Sequence, residues 1–349
     1  MKEVLNLFET RRDYFGKTIK IGIDTNWNNV SKNYKLTRNF IIEFSHKLNW
    51  KLISQYQDLT DDIIIEFSDK IDWYYASKYQ KLSENIIRMF KNNVNWNNIS
   101  RNQVLSEDFI NEFQDYVNWS CVSSNQKLSE KFISEHKYYI DWQAVSLKQQ
   151  LSEGFIDKYN NILFWDALCV SQKLSEKIIR KYINKINWLH ISAHQVLSED
   201  FINEFQDKLD WFFICQSQKL SEEFILKHIK KINWNSISAN QILSEDFIYN
   251  NRDSLNWKYI CMKQKLSETF MENNQEYLNW KWVSICQTLS EDFIEKFKDK
   301  VNWYFISANQ KLSEDFIKKF SDNVDWTMIK TYQNLSNEFK NEYKYFLNY

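Results

Sequence analysis

Two histidines offer the most suggestive chemistry in the chain. His190 and His194 stand four residues apart, so a helix would place both imidazoles on one face, where they could hold a metal ion. No Glu sits between them as H-E-x-x-H requires, and no third ligand accompanies them. Five cysteines occur, at 121, 169, 215, 261 and 286, an odd number without a Cys-x-x-Cys pair. That usage reads as reduced thiols inside a cell. Cys169, Cys215 and Cys261 share a position held by Ser in the other units except at Lys330, and the similar size of the two side chains points to a tight helix contact. Acidic pairs such as Glu107–Asp108 recur, always at the same place in a repeated motif, where helix capping explains them. There is no Gly-rich phosphate loop, no G-x-S-x-G and no metal-spaced Cys/His cluster. The expectation is therefore no catalytic group, no cofactor and no metal site, and a chain that is not an enzyme.

The elements that carry these residues follow a strict period. Fourteen tryptophans fall 23 residues apart, from Trp27 to Trp326, and the next step lands on Tyr349. Only Trp282 lies off this comb. Nine residues after each comb Trp comes Leu, then Ser or Thr, then in twelve units an acidic residue. Gln stands seven after each Trp except at Tyr34, and Asn or Asp stands before each Trp except at Phe164. A period of this length with no insertion marks a repeat array.

Each unit reads as two helices. In the unit beginning at Trp303, Ser313 can cap a free backbone N–H of the first turn, and Glu314 and Asp315 face the positive end of the helix dipole. Phe316, Ile317, Phe320 and Val324 then draw one apolar stripe, predicting a Ser-capped helix of about three turns. Asp325 caps a second, Trp-led helix in the same way. Helices this short are not stable alone and need stacked neighbours. A large aromatic buries roughly 150–250 Å². At about 25 cal/mol per Å² each Trp would contribute roughly 4–6 kcal/mol gross, which makes the comb the expected spine of the core. The fold class predicted is all-α, an α-solenoid of about fourteen two-helix repeats. Residues 1–26 depart from the pattern and are expected to form an irregular N-terminal cap, followed by a solenoid over 27–349. Its last unit, where Lys340 takes an Ile or Met position, would be a C-terminal cap.

Composition agrees. There is no Pro and there are three Gly, so folds built on Gly or Pro turns drop out. Lys plus Arg is 45 against 46 Asp plus Glu, a net charge of -1 that provides no field for nucleic acid or an anionic membrane. No apolar run reaches spanning length and the first residues lack the core of a signal peptide, so an intracellular location is expected.

Surface candidates come from columns that vary. The position two after Trp points away from the Trp face of a helix yet is often apolar, as at Tyr75, Phe213, Tyr259, Trp282 and Phe305. Either it packs between layers or Tyr259, Trp282 and Phe305 form one exposed patch fit for a protein partner. The pairs Tyr74–Tyr75, Phe212–Phe213 and Tyr304–Phe305 are the best contact candidates. The Gln column, Gln57 to Gln333, could bond backbone at helix ends or form a free amide ladder. His136 and His228 take a Phe position and are expected to be partly buried. Residues eight after Trp alternate, with Lys81, Lys127, Lys173, Lys219, Lys265 and Lys311 between Val104, Gln150, Val196, Ile242, Thr288 and Asn334. That 46-residue alternation suggests growth by duplication of paired units.

The motif Leu-Ser-Glu-Asp-Phe-Ile, from Leu105, Leu197, Leu243, Leu289 and Leu312, in fixed register with Trp and Gln, resembles tandem-repeat proteins encoded in many copies by giant DNA viruses of the mimivirus type. The resemblance covers nearly the whole chain and implies a viral source, a host-cell cytoplasmic setting and the repeat fold, but no activity. No F-box accompanies it. The expected function is a protein-binding scaffold with no small-molecule substrate. An RNA-binding helical array and a structural virion component are the alternatives.

Overall fold

The computed structural model describes residues 9–347. The chain is an all-α tandem-repeat solenoid that carries a β-hairpin at its start. It divides into two compact units, one ending at Leu174 and one beginning at Ser175. The first holds the hairpin and the Trp-led helices from Trp27–Asn33 to Trp165–Ser171; the second holds those from Trp188–His194 to Trp326–Tyr332. Within each unit, successive Trp-led helices pack side by side. No helix of the described residues is long and apolar enough to cross a membrane.

Most helices carry their own start signal, though Phe164 and Thr60 form no side-chain cap. The Trp-led helix Trp96–Asn102 is capped by Asn95, whose Oδ1 accepts from Asn98 N–H at 3.0 Å. The next helix, Glu107–Glu112, is capped by the Ser106 hydroxyl, which accepts from Phe109 N–H at 3.1 Å. Such caps contribute about 1 kcal/mol each. The Ser-capped helices are shorter than the apolar stripe predicts. Glu314–Lys319 has six residues, and at Phe320 the backbone leaves helical geometry at φ -111° and ψ 33°. Val324 still reaches the core because its N–H bonds to the Phe320 carbonyl at 3.1 Å. The stripe continues through a turn, so the spacing alone overstates the helix.

The spine of the core is Ile and Phe rather than indole. Ile99, Phe109 and Ile110 in the first unit, and Phe201, Ile202 and Ile214 in the second, are fully buried. Of the fourteen comb tryptophans only Trp165 is buried; the others are half-buried. Each Trp stands at the first position of its helix. In Trp303 one ring face lies on Phe320, 5.2 Å between centroids, while Nε1 donates to the Lys298 carbonyl at 3.0 Å. An indole that must satisfy its N–H at a loop carbonyl stays at the margin of the core. Its contribution is correspondingly below the figure for full burial.

Residues 9–21 are regular, contrary to the expected irregular cap. Strands β1 (Glu9–Arg12) and β2 (Thr18–Ile21) pair antiparallel. The connecting loop is held by the Asp13 carboxylate, which accepts from Phe15 and Lys17 N–H at 3.0 and 2.7 Å, and by Gly16 at φ 79°. Tyr14 N–H bonds the Lys35 carbonyl at 2.8 Å, pinning the hairpin to the first repeat. Residues 1–8 of the expected cap, and Tyr349 as the next step of the comb, lie outside the described residues. At the other end a short helix, Lys344–Leu347, follows the last repeat, and Phe346 stacks on Trp326 at 4.8 Å.

Candidate functional site

The recurring columns are engaged with their neighbours, which determines what is left for a partner. Gln241 donates from Nε2 to the carbonyls of Cys215 and Gln218, at 3.0 and 2.8 Å, and accepts at Oε1 from Leu220 N–H at 3.0 Å. Those carbonyls lie at the end of the preceding Trp-led helix, where backbone acceptors otherwise lack partners. The same three bonds tie Gln80 to Ser54, Gln57 and Leu59 in the first unit. A ladder of amides therefore exists, but it grips backbone one repeat back and leaves no free amide row for a ligand.

The Ser/Cys column forms a second seam. Ser238 donates to the Trp234 carbonyl at 2.6 Å and accepts from Asn256 N–H, one repeat on, at 2.9 Å. Cys215 and Cys261 accept from Asn233 and Asn279 N–H at 3.4 Å each. Burial pushes the Cys215 thiol up, and that of Cys261 up to about 11, against the opposing pull of these N–H bonds. A thiol held protonated is a poor nucleophile, so these sulfurs act as hydrogen-bond acceptors in place of Ser.

The acidic column forms a third seam, which the sequence pattern does not announce. Glu291 accepts at its two oxygens from Ser313 N–H, at 2.5 Å, and from the Ser313 hydroxyl, at 3.0 Å. Glu222 with Ser244 repeats the arrangement. These residues complement the dipole of their own helix and also hold the cap of the next one. At Glu176, burial raises the carboxyl pKa, but the Ser198 hydrogen bonds and Arg180 outweigh it and hold the group below its usual range.

The candidate aromatics occupy the remaining face of the Trp-led helices. In the second unit Phe212 and Tyr304 are exposed, while Phe213, Tyr259, Trp282 and Phe305 are half-buried between layers. In the first unit Tyr74 is exposed and Tyr75 half-buried. Each adjacent pair meets edge-to-face, at 5.3 Å for Tyr74–Tyr75, 5.4 Å for Phe212–Phe213 and 5.1 Å for Tyr304–Phe305. Lysines lie against the rings of Tyr259, Trp282 and Phe305. Lys258 Nζ lies 5.7 Å from the Trp282 ring centroid, and Lys281 Nζ lies 5.7 Å from that of Phe305. The structure does bring Phe212 and Tyr259 together, as two walls of a notch of about 290 Å³ floored by Ser236 and Ala239. Small residues in the intervening repeat open this gap, Asn235 and Ser236 standing where the two flanking repeats carry Phe212–Phe213 and Lys258–Tyr259.

The histidines separate into two kinds. His190 and His194 lie on one helix face with ring centroids 6.1 Å apart. Among the described residues no group of three or more His, Cys, Asp or Glu converges on a metal-sized point. His136 and His228 are buried, stacked on Trp119 and Trp211. His136 places Nε2 2.9 Å from the Asn111 amide oxygen, whereas Nε2 of His228 has no partner although Asn203 occupies the same register. Burial, with Lys227 and Lys231 adding to it, lowers the pKa of His228.

No family model, curated protein or solved structure matches the chain. The reading of this surface therefore rests on its geometry.

Proposed function

We propose that the protein is a non-enzymatic scaffold that binds another protein along the outer face of its Trp-led helices. The observation that carries this reading is the Phe212–Tyr259 notch, a recess with aromatic walls whose polar lining is amides and the Ser236 hydroxyl. Aromatic anchors beside such recesses are the usual centres of protein interfaces. The division of columns supports the same view: the recurring ones join repeats, and the variable ones face outward, as suits a surface tuned without disturbing the stack. The near-neutral charge favours a protein over a nucleic-acid partner. The likeness to mimivirus-type repeat proteins adds a host-cell cytoplasmic setting to the proposal.

The test is affinity capture from the cell that expresses the protein, comparing wild type with Phe212→Ala/Tyr259→Ala. A specific partner should be lost in the double variant while the helical circular dichroism stays unchanged. Equal capture by both proteins would remove this face from the proposal.

A further inference from the structure

The loops that lead from each Trp-led helix to the next Ser-capped helix end in one tip residue, eight after Trp. In the second unit these tips run Val196, Lys219, Ile242, Lys265, Thr288, Lys311 and Asn334, all exposed. Val196 and Ile242 are 91% and 92% exposed, and Val104 at the same register of the first unit is 94% exposed. A β-branched aliphatic so fully in water contributes nothing to the core, so its recurrence is not a packing effect.

The lysines between them are equally unengaged. Other cations of this unit pair with a carboxylate one repeat away, as Lys231 does with Asp207, Lys296 with Glu272 and Lys318 with Glu342. Among the described residues, Lys219, Lys265 and Lys311 meet neither a carboxylate nor an aromatic ring. The acidic side chains nearest in sequence are already held, since Glu222 and Glu268 accept from Ser244 and Ser290. Between a Lys tip and an amide tip the surface hollows. The recess between Lys311 and Asn334 measures about 270 Å³, and that between Lys127 and Gln150 in the first unit about 530 Å³. Glu130 lines the latter, but both its oxygens accept from Ser152.

We infer that this row of loop tips is a docking edge for an extended, acidic polypeptide segment. The inference rests on the scaffold reading and supplies a second surface together with its partner's chemistry. Neighbouring helices lie about 8–10 Å apart, so lysines on alternate repeats stand roughly 18 Å apart. An extended chain rises about 3.3 Å per residue, so carboxylates about six residues apart would match them. Aliphatic residues two or four positions after each carboxylate, on the same face of the extended chain, would meet Val196 and Ile242. A nucleic acid fits this edge less well, because duplex DNA carries a charge about every 1.7 Å of axis and most phosphates would find no cation.

The test uses the full chain and a fluorescein-labelled synthetic peptide with Glu at every sixth position, Val at the second and fourth positions after each Glu so that both face one side of the extended chain, and Ser elsewhere, followed by fluorescence anisotropy. The wild type is expected to bind it, more weakly as salt rises. Lys219→Glu/Lys265→Glu/Lys311→Glu should weaken binding by about tenfold or more, roughly 1.4 kcal/mol, with the helical signal intact. Val196→Ser/Ile242→Ser should weaken it by a smaller factor. The Phe212→Ala/Tyr259→Ala variant should bind the peptide as the wild type does, so the helix face and the loop edge fail independently. No binding by wild type, an unaltered affinity in the triple-lysine variant, or tighter binding of a single-stranded RNA of equal length would overturn the inference.

Discussion

The inner seam of the second unit and its outer face are built from the same repeats yet follow opposite rules. On the inner side Ile202, Ile214, Ser238 and Gln241 are all buried, with Ser238 bonded to the next repeat and Gln241 to the preceding one. On the outer side Phe212, Tyr304, Val196 and Lys219 are exposed and change identity from one repeat to the next. Residues that recur here hold repeats together, and residues that vary are free to address something else.

The sharpest way to break that contrast is a matched pair of truncations. Ile202→Ala removes a fully buried side chain from the seam and should cost about 2–5 kcal/mol in denaturant unfolding. Tyr304→Ser on the outer face should stay within about 0.5 kcal/mol, because an exposed ring contributes little. Equal losses would show that the outer ring is structural.

A smaller effect separates two positions of one column. His136 has an amide at its Nε2, while the buried Nε2 of His228 has none. An orphaned buried polar atom costs about 1–3 kcal/mol, so His228→Phe should stabilise the chain even where the ring is neutral. The gain should grow in acid. The folded pKa of His228 is depressed, so its neutral form favours the fold above the unfolded value near 6.5, and that stability is lost as pH falls through the folded pKa. Urea unfolding at neutral pH and at mildly acidic pH, on both proteins, reads the difference; a wild type more stable than the variant in acid would refute it.

The repeat fold was legible in the sequence because capping and periodicity are local. Asn95 and Ser106 announce their helices, and the 23-residue register places the recurring Ile and Phe of the repeats. What escaped depends on neighbours or on short-range turns. The Trp comb suggests an indole core, but the Nε1 bonds to loop carbonyls keep most of those rings at the margin. The hairpin at 9–21 is signalled only by Asp13, Gly16 and the alternation in Thr18–Ile21, too short to stand out beside the array. The Glu–Ser seam was invisible because each Glu also fits its own helix dipole, and only stacking reveals the second role. At the surface, the adjacency of the aromatic pairs is written in the chain, but the lysines beside Trp282 and Phe305 come from the preceding repeat, which only stacking reveals.

Amide hydrogen exchange in Gln218→Leu tests the joining of repeats most directly. Gln218 Oε1 accepts from Leu197 N–H at 3.0 Å, while Leu220 N–H is held independently by Gln241, also at 3.0 Å. Loss of protection at Leu197, with protection at Leu220 retained, is the predicted result. Protection at Leu197 equal to that of the wild type would contradict the account, since the side-chain amide would then not be what couples one repeat to the next.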